Sequence, residues 1–316
     1  MEYYCLKNSS TRISRFVFGC AALGGGADYE MLDRTAMADA VNCAIEHGVN
    51  TFDTADCYGL GASESNLAEM LGTRRHDLVI TTKFGIRWNP PAAGERAVTF
   101  RDISPEWAVT ALENSLRRLK LDVVPIYFIH WPDGKTPVAK TMEALEKCRQ
   151  QGKIRHIGVS NFSREQLQEA NSVAEVAIIE GQYSLIDRQI EREAFAASQS
   201  LGIPSLCYGT LAQGFLSGKY TGVTTLPEND RRRQLPQFQG MDSERNTRIL
   251  RTLTQIAAAH QATPSQIAIQ WALRHPACGS ILFGAKNREQ VLSNISALAV
   301  GITPEEYALL NMVSNS

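Results

Sequence analysis

Residues 78–130 open with LVITTK (78–83), continue through SPEWAVTALENSLRRL (104–119) and close with VPIYFIH (124–130). The first and last pieces are short apolar runs, which are typical of strands buried on both faces in a parallel sheet. The middle piece begins with a serine, a proline at the first helical position and an early acid, so it predicts a helix. A strand, a helix and a strand in this order predict a β-α-β unit.

Similar apolar runs recur along the whole chain. They are Phe16–Cys20, Val49–Asp53, Leu78–Lys83, Val124–His130, His156–Ser160, Val176–Gln182, Ile203–Tyr208 and Ser280–Phe283. Helical patterns lie between them, for example over Arg34–His47 and after a capping box formed by Ser163 and Gln166. Eight strand-then-helix units predict a closed (β/α)8 barrel, or TIM barrel, although alternation alone also fits an open doubly wound sheet.

The two ends of the chain add to this α/β pattern. Tyr3 to Ile13 is too short to form a unit, so we expect an N-terminal β-hairpin that caps the bottom of the barrel. Thr303-Pro304 begins a helix beyond the eighth unit, so we expect extra C-terminal helices. Because a barrel of this length folds as one domain and no linker interrupts the chain, we expect a single domain over residues 1–316.

Composition disfavours several classes of protein. Lys plus Arg is 32 and Asp plus Glu is 33, so the net charge of −1 gives no basis for nucleic-acid binding or a polybasic membrane patch. No apolar run is long enough to span a membrane, and MEYYCLKNSS at the start does not read as a secretory signal. The seven cysteines have no disulfide or zinc spacing, so we expect reduced thiols, a cytoplasmic protein and no metal.

Polar residues follow three consecutive predicted strands, where a barrel places its active site. Asp53 ends the second strand, Lys83 the third and His130 the fourth, and Tyr58 lies a few residues after Asp53. An ammonium beside a tyrosine makes the phenol a better proton donor, and Asp53 can keep Lys83 protonated. Together with a histidine that binds the substrate oxygen, these residues predict protonation of a developing alkoxide, as in carbonyl reduction.

Phosphate binding is expected in the loops after the last two strands. No glycine-rich segment completes GxGxxG, so a Rossmann domain is poorly supported. Gly214 follows the seventh strand and Gly284 the eighth, and these are the loops where barrels commonly bind phosphate. Backbone amides there, with Lys286 and Arg288, predict a site for a phosphorylated cofactor.

Two segments interrupt the alternation of strands and helices. Trp88–Arg101 and Gly222–Gly240 lack helical periodicity and follow strand ends, so both are candidate active-site loops. Trp88 and Trp131 are candidate walls of the substrate pocket, because Trp131 lies next to His130 and Trp88 follows the third strand. Aromatic walls suit sugars, aromatic aldehydes and steroids alike, so they do not select a substrate.

Six longer motifs occur in series along the chain. They are GVNTFDTADCYG (48–59), TTKFG (81–85), HWPD (130–133), GKIRHIGVSNF (152–162), YGTLAQGFLSGKY (208–220) and GAKNREQVLSN (284–294). In this order and spacing they resemble the aldo-keto reductase family over nearly the whole chain. The resemblance implies a barrel that binds NADPH without a Rossmann domain or a metal. It also implies that Asp53, Tyr58, Lys83 and His130 are the catalytic tetrad, with Tyr58 as general acid.

The resemblance also implies cofactor-binding residues. Ser160, Asn161 and Gln182 match positions that hydrogen-bond the nicotinamide carboxamide. Tyr208 matches the aromatic residue that stacks on the nicotinamide ring. The positions that match or adjoin the pyrophosphate loop and the site for the adenosine 2′-phosphate and adenine are Leu211, Gln213, Gly214, Gly284, Lys286, Arg288, Gln290 and Asn294.

These observations predict an NADP-dependent oxidoreductase (EC 1.1.1.-) that reduces an aldehyde or ketone by hydride transfer. One alternative is a sugar or polyol dehydrogenase, because the same site works in both directions. A second is an NADPH-binding regulatory subunit with little turnover, and a third is a barrel lyase or aldolase in which Lys83 forms a Schiff base. The expected partner is a small carbonyl compound or sugar. The sequence does not indicate which oligomeric state the protein adopts.

Overall fold

The computed structural model of the chain describes residues 1–25, 33–90, 97–220, 226, 230–239 and 244–315. Its strands are β1 (Tyr3–Cys5), β2 (Arg12–Ser14), β3 (Phe16–Gly19), β4 (Thr51–Asp53), β5 (Val79–Phe84), β6 (Ile86–Trp88), β7 (Thr99–Arg101), β8 (Val124–Ile129), β9 (Ile154–Ser160), β10 (Val176–Gln182), β11 (Ser205–Tyr208) and β12 (Cys278–Phe283). Strands β3, β4, β5 and β8 to β12 close into a parallel barrel. The predicted (β/α)8 barrel is therefore confirmed, and each of the eight apolar runs overlaps one barrel strand.

Helices follow the barrel strands along the chain. They are α1 (Arg34–Glu46), α2 (Ala62–Leu71), α3 (Pro105–Leu119), α4 (Val138–Gln150), α5 (Arg164–Val173), α6 (Ala196–Leu201), α7 (Pro236–Gln239), α8 (Glu244–Ala259), α9 (Pro264–Arg274), α10 (Arg288–Ile295) and α11 (Pro304–Asn315). The predicted capping box is present at α5, where Ser163 and Gln166 each bond the other's backbone N–H. Helix α11 is the expected C-terminal addition, and it packs on α8.

Register between the barrel strands sets which side chains meet at the upper rim. Gly19 on β3 pairs with Asp53 on β4, and Asp53 pairs with Thr81 on β5. Lys83 then pairs with Phe128 on β8. Because parallel strands all end at the same rim, Asp53 and Lys83 come together there, and His130 follows directly after β8.

The N-terminal hairpin closes the opposite end of the barrel, as predicted. Strands β1 and β2 are antiparallel, with Tyr4 opposite Ile13. Ile13 and the neighbouring Leu6 are buried in a cluster with barrel residues such as Val17 and Phe128. This apolar plug fills the lower interior, so the polar residues of the barrel gather at the other end.

The two predicted active-site loops are only partly described. Trp88–Arg101 begins at the last residue of β6 and ends with β7, and these two strands form an antiparallel ribbon that the sequence does not predict. Within Gly222–Gly240, the described part includes a short turn, Arg231–Gln234, which the Asp230 side chain caps by accepting a hydrogen bond from the Arg232 amide. Residues 91–96, 222–225, 227–229 and 240 lie outside the described residues.

In the described part of the chain, no helix is both long enough and apolar enough to cross a membrane. The seven cysteines are all free thiols.

Candidate active site

Asp53 and Lys83 form a buried ion pair at the upper rim. The Nζ atom of Lys83 lies 2.6 Å from both carboxylate oxygens of Asp53 and 3.0 Å from the Thr54 carbonyl oxygen. Thr81 Oγ1 donates a further hydrogen bond to Asp53, at 2.5 Å. Burial favours the neutral amine of Lys83, but the attraction of Asp53 and Glu180 outweighs it and raises the pKa of Lys83. Lys83 is therefore a charged ammonium fixed in one place.

Tyr58 lies against this ammonium because of a tight turn after β4. Its ring centroid is 5.5 Å from Lys83 Nζ. The turn depends on Gly59, which has a left-handed φ of 57°. A Cβ atom at Gly59 would lie 2.2 Å from the Gly24 carbonyl oxygen, so no other residue fits there without a backbone shift. The close approach of these two glycines holds Tyr58 next to Lys83.

His130 completes the group of four. Its ring centroid is 5.9 Å from that of Tyr58, at 85°, which is an edge-to-face arrangement. Burial, together with the positive charges of Lys83 and Arg101, lowers the pKa of His130 well below its usual value. The imidazole is therefore neutral at neutral pH. The Cys57 Sγ atom lies 3.7 Å from its Nδ1.

A chain of hydrogen bonds leads from His130 to Tyr208. Asn161 Nδ2 donates to the His130 carbonyl oxygen and to Ser160 Oγ, both at 3.0 Å. Asn161 Oδ1 accepts a bond of 2.8 Å from the Tyr208 hydroxyl. Gln182 ends β10 directly opposite Tyr208 on β11. The structure thus brings together the four residues for which the resemblance implied nicotinamide binding.

A cavity of about 390 Å³ opens beside these residues. Its walls include Trp131, Asn161, Gln182 and Tyr208. Trp88 is not among the described residues that line this cavity. The four residues of the predicted tetrad are not among them either. Trp88 lies in β6 instead. The cavity therefore lies on the side of the predicted nicotinamide-binding residues.

The loop after β11 has a backbone that suits a phosphorylated ligand. Ala212, Gln213 and Gly214 have φ values of 48°, 55° and 91°, which is three successive left-handed residues. The Leu211 carbonyl oxygen closes the turn by accepting from two later amides. Thr210 Oγ1 is buried and hydrogen-bonds to none of the described residues. A hydroxyl without a partner beside a tight turn fits a ligand rich in acceptor oxygens, such as the pyrophosphate of a dinucleotide.

The residues expected at the adenosine end lie around the start of α10. The Lys286 amide donates to Gln290 Oε1 at 2.8 Å, and Asn294 Nδ2 donates to the Gln290 carbonyl oxygen at 2.8 Å. A Cβ atom at Gly284 would meet no atom within 4 Å, so there is open space beside this loop. The side chain of Arg288 reaches toward α1 and forms ion pairs with two acids of that helix. These acids are Asp39, at 3.3 Å, and Glu46, at 2.8 Å.

One polar residue of the site was missed by the sequence analysis. Glu180 lies on β10 with a carboxyl group that is buried in the barrel, and its Oε2 is 3.4 Å from Lys83 Nζ. The signal is present in the sequence, because Glu180 is the acid in a strand that is apolar up to that point, and it stands two residues after the inward-facing Ile178. Side chains two apart in a strand share a face, so the parity of the strand would have placed Glu180 inside the barrel.

The fold and the site define a class of barrel enzyme, and comparison with known proteins identifies its family. The sequence profile of the Aldo/keto reductase family matches residues 15–315. The chain therefore belongs to the aldo-keto reductase family. It is similar to "Aldo-keto reductase yakc [NADP(+)]" of Schizosaccharomyces pombe, at 32% identity over 90% of this chain and 84% of that protein. It is also similar to the "NADH-specific methylglyoxal reductase" of Escherichia coli, at 31% identity over 100% of this chain and 99% of that protein.

A solved structure gives the same result. The glycerol dehydrogenase AKR11B4 from Gluconobacter oxydans superposes with a TM-score of 0.90, at 30% identity over 98% of this chain and 94% of that chain. The protein is thus an aldo-keto reductase, an enzyme of NAD(P)-dependent carbonyl oxidoreduction, and the resemblance found in the sequence is confirmed.

Proposed function

We propose that the protein is an NADPH-dependent reductase of an aldehyde or ketone, with Tyr58 as the general acid. The observation that carries this proposal is the Tyr58 ring 5.5 Å from a lysine ammonium that is itself fixed on Asp53. A positive charge held beside a phenol stabilises the tyrosinate, which makes the phenol a stronger acid.

The nicotinamide supplies the hydride when the cofactor is bound, and the residues of the chain manage the proton and the charge. Tyr58 donates its phenolic proton to the carbonyl oxygen as negative charge develops there. Lys83 then stabilises the tyrosinate, and Asp53 keeps Lys83 from losing its own proton. The neutral His130 donates a hydrogen bond to the same oxygen, which orients the carbonyl without adding a charge.

The same geometry argues against a Schiff-base mechanism. A lysine nucleophile needs a lowered pKa so that the amine is neutral. Lys83 has a raised pKa and is held between carboxyl groups. The alternative of a polyol or sugar dehydrogenase has one point in its favour, because the structural relative from Gluconobacter oxydans is a glycerol dehydrogenase. In that direction tyrosinate would act as the base at the same position.

NADPH is proposed as the cofactor because two cations lie near the start of α10. Lys286 and Arg288 can bind a 2′-phosphate, which NADH lacks. Arg288 must first leave its pairs with Asp39 and Glu46, but exposed ion pairs of this kind are weak because solvent screens them. The preference for NADPH is therefore expected to be moderate. The names of the relatives span both cofactors, since one carries NADP(+) and another is NADH-specific.

Cofactor binding and turnover can be tested together. Quenching of protein fluorescence is titrated with NADPH and with NADH, and the absorbance of the reduced nicotinamide is then followed with a mixed panel of aldehydes, ketones, sugars and polyols. Tighter binding of NADPH with consumption on a carbonyl substrate supports the proposal. Binding without turnover on the whole panel would favour a regulatory subunit, and absence of binding to either cofactor would overturn the assignment.

A further inference from the structure

Glu180 gives the active site one carboxyl group more than its single buried lysine requires. The ammonium of Lys83 is already hydrogen-bonded to both oxygens of Asp53 and to the Thr54 carbonyl. Glu180 Oε2 lies 3.4 Å from the same nitrogen but makes no hydrogen bond to any described residue. The residue is 5% exposed. An ionised carboxylate in this position would be buried without a hydrogen bond on that oxygen.

The surroundings of Glu180 favour its protonated form. Burial disfavours the carboxylate, and the negative charge of Asp53 repels it, whereas Lys83 stabilises it only in part. Together these effects raise the pKa of Glu180 to about 8. Glu180 therefore holds a proton at neutral pH and loses it as the solution becomes mildly alkaline.

Three titratable groups that face Glu180 from β5 and β11 keep a constant charge over this range. Lys83, from β5, has a raised pKa and stays charged. Burial raises the pKa of both Cys207 and Tyr208 on β11, so both stay neutral. Asp53, from β4, is the carboxylate bound to Lys83. Of Glu180, Lys83, Cys207 and Tyr208, Glu180 is therefore the group whose charge changes near pH 8.

Glu180 also faces the side of the pocket proposed for the nicotinamide. It lines the same cavity as Asn161, Gln182 and Tyr208. The reduced nicotinamide ring is neutral and the oxidised ring is a cation, while the two cofactor forms are otherwise alike. A carboxyl group that can lose its proton will discriminate between them, because a carboxylate attracts the cation and has no matching attraction for the neutral ring.

We propose that Glu180 is a charge-tuning positioning residue, protonated when the site holds the reduced cofactor and ionised when the site holds the oxidised, cationic one. The inference rests on the proposed function. Glu180 exchanges its proton with solvent and takes no part in the hydride transfer. Rising pH then favours the oxidised cofactor, so the site is set for carbonyl reduction at neutral pH and shifts toward alcohol oxidation at alkaline pH.

The direct test compares the affinities for NADPH and NADP⁺ across the pH range. The ratio of their dissociation constants cancels the contributions of the phosphates and adenine. In the natural protein, NADP⁺ binding relative to NADPH is expected to tighten by about tenfold from about pH 7 to about pH 9, since carboxylate ionisation adds a charge pair. Glu180→Gln should make the ratio flat. An equal pH dependence in the variant and the natural protein would overturn the proposal.

Two controls keep the comparison specific. Glu193 lines the same cavity, so Glu193→Gln removes a carboxyl group from that cavity and should leave the pH dependence intact. Repeating the titrations in a Tyr58→Phe background removes the contribution of the phenol. If neither cofactor form binds at all, the proposed function fails. If both bind with a ratio that does not change with pH, only the role of Glu180 fails.

A measurement on the natural protein covers the case in which Glu180→Gln does not fold. Calorimetry in two buffers of different ionisation enthalpy counts the protons released on binding. At about pH 8, NADP⁺ should release a fraction of one proton and NADPH should release none, because only the cation lowers the pKa of Glu180. Equal proton counts for the two cofactor forms would contradict the proposal.

Discussion

The two ends of the proposed cofactor site hold ion pairs of similar length in opposite surroundings. At the catalytic end, Lys83 and Asp53 are 2.6 Å apart, and their side chains are 0% and 2% exposed. At the adenosine end, Arg288 and Glu46 are 2.8 Å apart, with 42% and 54% exposed. The N···O distance of an ion pair therefore does not by itself show whether the pair is a fixed part of the site or can open to bind a ligand. The buried pair is fixed and cannot exchange partners at low cost, whereas the exposed pair can release its arginine to a ligand.

The largest effect should come from removing the cation of the buried pair. Lys83→Met leaves Asp53 buried without its partner, so we expect a loss of about 3–5 kcal/mol in unfolding free energy and no measurable turnover. Lys153→Met is the matched control, because Lys153 pairs with Glu113 at the surface. It should cost less than about 1 kcal/mol in denaturant unfolding. Similar losses of unfolding free energy in the two variants would show that the buried pair and the surface pair do not differ in their contribution to stability.

An intermediate effect is expected when the cations of the adenosine end are removed. Lys286→Ala combined with Arg288→Ala removes charge-assisted bonds to the 2′-phosphate, so the affinity for NADPH should fall by about 10- to 100-fold. NADH should bind nearly as before, and Lys140→Ala, from an exposed pair on α4, should affect neither cofactor. Fluorescence titration measures both. Equal losses of affinity for NADPH and NADH would show that Lys286 and Arg288 do not bind the 2′-phosphate.

The smallest effect should come from releasing Arg288 from α1. Asp39→Asn combined with Glu46→Gln removes both acids that hold it, so NADPH should bind about two- to fivefold more tightly, because exposed ion pairs are weak and compete only slightly with a ligand. NADH affinity serves as the internal reference, because it has no 2′-phosphate. A weaker affinity for NADPH in this variant would mean that the acids position Arg288 for the phosphate and do not compete with it.

The sequence predicted the buried end more completely than the exposed end, for a physical reason. In a closed parallel barrel every strand finishes at the same rim, so Asp53, Lys83 and His130 could be brought together from strand order alone. No such rule fixes the long side chain of Arg288 at the surface. Its pairing with α1 depends on the packing of α10 beside α1, which the sequence does not state.

Apolar runs and helical periodicity do not reveal two further features. The ribbon of β6 and β7 has strands of three residues, which are too short to show alternation. Glu180 lies within a strand that is mostly apolar, so the apolar run predicts the strand, and only the parity of the residue within it indicates an inward-facing carboxyl group. A polar residue within a buried strand indicates a functional position more often than a packing one, because burial of a charge is otherwise unfavourable.

A comparison of Tyr58→Phe with the natural protein tests directly whether Tyr58 is the general acid. Both are titrated with NADPH and then mixed with a carbonyl substrate under single-turnover conditions while nicotinamide oxidation is followed. If Tyr58 is the general acid, the variant should bind NADPH with nearly unchanged affinity and transfer hydride about 10²- to 10⁴-fold more slowly. Hydride transfer at the natural rate in the variant would show that Tyr58 is not the general acid.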